Sequence, residues 1–451
     1  MYHNEKEYKM KKATTIKDLI NVFDIRPIEN DFNMGEFYVD TSEARGEDSA
    51  EKLMLILDQS DRRNKKFLFG GHNGCGKSTE LYKVSESLKD RYLVVKYSIG
   101  QYMDFLSASY VDIVFSILRS IVVSSQENGI SINKNIVSSI FNYWNEEKVV
   151  SFTDEEILEG SNESSVGGSV LNILSAKIKL FLQSSSKVKE EIVRRLNPSI
   201  PRLIEMVNQF LDDFQKELGD KQLLLIIDDL DKLSLQQAKQ IFIENSKNIT
   251  ALHANVIYTF PIYLYYSPEF RCIQSDFEDP ILLSMIKVRT QEGTEYKTGV
   301  NTLTEIVEKR ADNSLFEKDV INFVIEKSGG CIRTAFRILR EAALKSELYY
   351  KKQLDIGDED KIVTLANAKL AYRAYKSEME RVIRKDQIDL LVEIHKNKRP
   401  VIDEDNILVM NLLMSLAVIE YNGERWCDLN PAIEDYLVDL NIIKIDRKSP
   451  K

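Results

Sequence analysis

Short apolar runs alternate with helix-spaced stretches up to about residue 300. Residues 67–69, 223–227, 255–260 and 281–288 read as strands, and 92–100 is a further β-rich run. The run 223–227 is apolar at every position, as expected of a strand buried on both faces of a parallel sheet. Between such runs the apolar residues recur at helical spacing, as with Leu81, Val84 and Leu88. This alternation predicts an α/β chain with a parallel sheet and helices on both faces.

The second and third core strands are far apart in sequence. The intervening residues 101–218 read almost entirely as helices, including 110–123, 134–144 and 204–217, which is too long for a simple crossover and implies a helical insertion. Its most loop-like interruption, SNESSVGGS at 161–169, is expected to be a mobile tip. From 301 only helices follow. One ends at Gly329-Gly330, and the next carries an apolar stripe of Ile332, Ala335, Phe336 and Leu339 with Arg333, Arg337 and Arg340 opposite. The last section has two helices and then apolar segments flanking Asn422-Gly423, a hairpin signal, so a winged helix is expected. The expected organisation is an N-terminal segment 1–60 contributing to the ligand site, a core at 61–300, a helical lid at 301–383 and a winged helix at 384–451.

Composition narrows the classes. With 451 residues, 43% hydrophobic and 29% charged, the chain is globular with room for about three domains. A net charge of −10 argues against a generally basic nucleic-acid-coating surface. The polar start and the absence of a long apolar run predict a cytoplasmic protein without a membrane partner. Cys75, Cys272, Cys331 and Cys427 lack paired spacing, so free thiols are expected instead of a disulfide framework or a zinc site. From Lys385 to Lys451 there are nine Lys and Arg against thirteen Asp and Glu, and residues 406–417, the helix that would enter a DNA groove, have no Lys or Arg. This predicts a protein-contact or autoinhibitory module and disfavours DNA reading there, leaving DNA contact open elsewhere, for instance at 187–195.

The chemistry centres on FLFGGHNGCGKSTEL at 67–81, which contains G-x-x-x-x-G-K-S as Gly71, Gly76, Lys77 and Ser78 between a predicted strand and a predicted helix. Glycines let backbone N–H groups turn toward phosphates, and the helix start adds its positive end. The loop residues Gly71, His72, Asn73, Gly74, Cys75, Gly76, Lys77, Ser78 and Thr79 are therefore candidates for binding ATP. Lys77 supplies charge and Ser78 a hydroxyl for Mg2+. The buried strand 223–227 ends in Asp228-Asp229-Leu230-Asp231. Asp228 is the second candidate Mg2+ residue, Asp229 occupies the place of a general base, and Asp231 is expected to cap or to pair with Lys232. Thr259, near the end of the next strand, suits a sensor of the γ-phosphate or of the attacking water.

These motifs, with SGGCIRTAFRILREA and VIEYNGERWCDLNPAIEDYL, resemble bacterial AAA+ ATPases of the origin-recognition type and the STAND signalling ATPases, over roughly residues 20 to 440. The resemblance implies that Thr259 matches sensor 1, that Arg333 matches sensor 2, and that Ile28, Phe37 and Tyr38 are candidates to enclose adenine. It further implies a nucleotide-dependent switch or assembly motor that self-associates through its core, engages a protein effector and serves in defence against phage. Asp229 stands where many relatives have a longer glutamate, which implies slow hydrolysis. Arg271 lies where an arginine finger is sought, although a surface arginine fits it better. An origin-recognition-like DNA-binding ATPase and a nucleotide-bound scaffold with little hydrolysis are the alternative readings.

Overall fold

The structure, a computed structural model, describes residues 10–24, 34–58, 64–146, 170–352, 357, 360–400, 406–421 and 426–444. Ile28, the tip at 161–169 and the Asn422-Gly423 turn lie outside the described residues. The chain forms two compact units, one of residues 53–70 and 84–281 and the other of residues 1–52, 71–83 and 282–451.

Most of the sheet belongs to the first unit. Strands β1 (Lys66–Gly71), β2 (Tyr92–Ser98), β3 (Gln222–Asp228), β4 (Asn255–Pro261) and β5 (Ile281–Leu283) lie in the order β2-β3-β4-β1-β5, all parallel. The β2–β3 register runs from Tyr92 opposite Gln222 to Ser98 opposite Asp228. It therefore brings the ends of these two strands level. Leu223 to Ile227 are fully buried, which matches their uninterrupted apolarity.

The insertion between β2 and β3 is helical, with helices Tyr110–Glu127, Lys134–Glu146, Val170–Leu182, Ser186–Leu196 and Ile200–Lys216. Phe115, Trp144 and Phe181 join three of them, with ring centroids 5.0 to 6.1 Å apart. Lys189, in the basic stretch 187–195, is buried 2.9 Å from Asp112, and Arg195 pairs with Glu191. Of that charge, Lys189 is committed to the interior.

The second unit contains helices Lys297–Arg310, Val320–Ser328, Ile332–Tyr350 and Leu365–Arg381, then Ile388–Asn397 and Ile407–Met414, the antiparallel hairpin β6 (Val418–Tyr421) and β7 (Trp426–Leu429), and helix Pro431–Asp439. Helix Ile407–Met414 buries Val409, Met410, Leu412 and Leu413, which serve packing, and exposes Ile407 and Met414 at its ends. The apolar run 281–288 divides differently from the expected single strand, since only Ile281–Leu283 is β5. After Ser284 the run becomes a buried connection, with Met285 bridged to Tyr421 and Ile286 and Val288 packed with Leu303, Ile306 and Ile325. Its apolarity reports burial in a helical core as well as strand pairing. Among the described residues no helix is long and apolar enough to cross a membrane.

Candidate nucleotide-binding site

Strand β1 delivers the chain to Gly71, and the next helix begins at Lys77 and runs to Leu88. Gly74 and Gly76 have φ of 80° and 109°, values that a side chain disfavours, so glycine is required at both positions by the bend itself. Lys77 reaches back across the loop and donates from Nζ to the carbonyls of Gly71 and His72, both at 2.9 Å. Its ammonium is thereby held over the bend. Thr79 and Glu80 donate backbone N–H groups to Gly76 and close the first helical turn.

Other segments of the second unit, to which residues 71–83 belong, grip this loop from several sides. The backbone N–H of Arg333, at the start of helix Ile332–Tyr350, donates to the carbonyl of Gly74 at 3.3 Å, and a Cβ placed on Gly74 would come within 2.5 Å of the Arg333 Cβ. Cys331 Sγ lies 3.8 and 3.7 Å from the carbonyls of Asn73 and Gly74. His72 is buried, and its Nε2 accepts the N–H of Glu420 in β6 at 2.8 Å. Burial and the nearby Lys77 push the His72 pKa down to about 3, so its ring is neutral with the proton on Nδ1. Cys75 is also buried, without a disulfide partner.

Arg333 thus stands against the phosphate loop and only partly exposed, whereas Arg337 pairs with Glu378 and Arg340 donates to Ile20 O at 3.0 Å. The arginine stripe is accordingly split by what each member touches. Phe37 is a core residue whose carbonyl accepts from Arg310, while the Tyr38 hydroxyl donates to Glu80 at 3.4 Å beneath Lys83. Burial and Glu80 raise the Tyr38 pKa to about 12.

The acids belong to the sheet unit. Asp228, Asp229 and Asp231 are buried, with carboxylate oxygens within 4.8 Å of one another. This set offers the hard oxygen donors that suit Mg2+. Asp229 has a left-handed φ of 71°, and its N–H donates to Asp228 Oδ1 at 2.8 Å. Ser98 Oγ donates to Asp229 Oδ2 at 2.6 Å, and Lys232 Nζ lies 2.6 Å from Oδ1. Lys232 thus pairs with Asp229. Thr259 is fully buried: its Oγ1 accepts the N–H of Leu230 at 2.8 Å and donates to Ile227 O at 3.3 Å. Its visible work is to shape the turn that carries the acids.

Arg271 is exposed on the short helix Phe270–Ile273. Ser98 and the Glu420 backbone were not legible as site groups. The first is an ordinary serine at a strand end, and the second acts through an N–H that every non-proline residue possesses.

No known family profile and no curated relative matches the chain. Among solved structures it aligns with Cdc6p from Pyrobaculum aerophilum at 13% identity and a TM-score of 0.36, covering 96% of this chain and 100% of that one. It also aligns with the Aeropyrum pernix ORC1 protein in complex with DNA at 14% identity and a TM-score of 0.35, covering 90% and 94%. At TM-scores this low, neither likeness carries an argument about this chain.

Proposed function

We propose that this chain is a P-loop ATPase that binds ATP with Mg2+, hydrolyses it slowly and works as a nucleotide-dependent switch. The carrying observation is the bend from Gly71 to Lys77, with its left-handed glycines, its lysine held across the loop and a helix starting at its end. That arrangement suits an anion of several charges. In this reading the loop residues bind the phosphates, Ser78 and Asp228 would hold Mg2+, and Asp229 accepts the proton of the attacking water. Bound Mg2+ supplies charge neutralisation along the phosphates.

Slow turnover follows from Asp229 itself. Its side chain is short, and Ser98 and Lys232 hold its carboxylate where it stands, so its reach toward a water is limited. The switch character follows from the loop's contacts with Arg333 and Glu420, through which ligand at the loop bears on the helical segment and the hairpin. Self-association, a protein effector and a role in phage defence are the finer part of the proposal, and they rest on the sequence resemblance alone. The test is ATP turnover by the purified chain and by Asp229→Asn, which should bind ATP and turn over about 10² to 10⁴ times more slowly. Equal turnover in the two proteins would remove Asp229 from the reaction.

A further inference from the structure

Arg45, near the end of the short helix Ser42–Arg45, is 2% exposed. Its Nε donates to Thr41 Oγ1 at 2.7 Å, its Nη1 to the carbonyl of Ser284, and its Nη2 to the carbonyl of Cys75 inside the phosphate loop at 2.6 Å. All three partners are neutral. No carboxylate among the described residues pairs with this guanidinium, and Glu80 acts on it only through space. A buried charge is costly unless an opposite charge answers it. The nearby loop has the geometry for an anion.

The contact also fixes a peptide plane. In a trans peptide the carbonyl of one residue and the N–H of the next point in opposite directions. Holding the Cys75 carbonyl therefore turns the Gly76 N–H away from Arg45. The Nη2 atom lies 3.4 Å from where a Cβ on Gly76 would stand, so its charge sits one residue before Lys77 along the loop.

We propose that Arg45 is a positioning residue for phosphate binding, which sets the Cys75–Gly76 peptide and supplies a buried positive charge answered by the polyphosphate of the ligand. This rests on the ATP-binding reading and deepens it. Arg45 acts through the loop and through its field, so its effect grows with the charge of the ligand.

The test measures the affinities of ATP, ADP and AMP, each with Mg2+, for the full chain and for Arg45→Met, Arg45→Lys and Lys77→Ala. Arg45→Met should weaken ATP by about tenfold or more, ADP by less and AMP least. Arg45→Lys, which keeps the charge and loses the fork, should bind all three more weakly yet keep the wild-type preference for ATP over ADP. Equal losses for the three ligands in Arg45→Met, or no loss, would overturn the proposal and leave Arg45 as a structural clamp. If Arg45→Met does not fold, Arg45→Lys decides alone, and loss of its ATP preference overturns the proposal. A wild-type chain that binds no ATP, or a Lys77→Ala variant that binds it normally, would instead sink the ATP-binding reading itself.

Discussion

The phosphate loop and the strand-end acids both place charge on a bend of backbone, yet they hold it differently. At the loop the cations rest on carbonyl oxygens: Lys77 on Gly71 and His72, Arg45 on Cys75 and Ser284. Among the acids, side chains do the holding, with Ser98 and Lys232 on Asp229 and Thr259 beneath the turn. Arg45, whose three hydrogen-bond partners are neutral, keeps most of its field for an arriving anion. A carboxylate held by an ammonium and a hydroxyl is fixed in place and keeps spare lone pairs for a further donor.

This contrast can be broken at the loop with little change to the acids. Gly74→Ala puts a side chain on a backbone with φ of 80° and drives its Cβ to 2.5 Å from that of Arg333. The backbone conformation alone costs ~1–3 kcal/mol. A lowered thermal midpoint and weaker ATP binding are expected, with Asp229 still competent in the ATP that does bind. Wild-type stability and affinity in this variant would mean that helix Ile332–Tyr350 does not rest on the loop.

A smaller effect should follow from pH. The folded His72 pKa of about 3 lies below the ordinary 6.5, so between these values the native state binds fewer protons than the unfolded chain. Stability is then full above pH 6.5 and is lost as pH falls, by about 2 kcal/mol at pH 5. Denaturant midpoints at pH 7 and pH 5 should differ more in the wild type than in His72→Asn, which does not titrate. Equal pH slopes would contradict a neutral His72 accepting from Glu420.

The motif and the core strands were legible because both are local patterns. Glycine spacing reports a required bend, and uninterrupted apolarity reports a strand buried on both faces, as at Leu223 to Ile227. The same signal misled at residues 281–288, where burial against helices looks like burial in a sheet. Arg45 escaped notice because it lies in no motif and its meaning depends on Cys75 and Ser284, which are distant in sequence. Asp229 was read correctly as a strand-end acid, but its engagement by Ser98 required the β2–β3 register. The ion pair of Lys232 with Asp229 was not legible either, since it depends on how the chain turns after β3.

The central claim is that the Gly71 to Lys77 bend binds the phosphates of ATP. Titration of ATP with Mg2+ into the wild-type chain and into Lys77→Ala tests it most directly. The account predicts saturable binding by the wild type and a loss of at least about tenfold in the variant, since the charge held across the loop is gone. Equal affinity in the two proteins would contradict it.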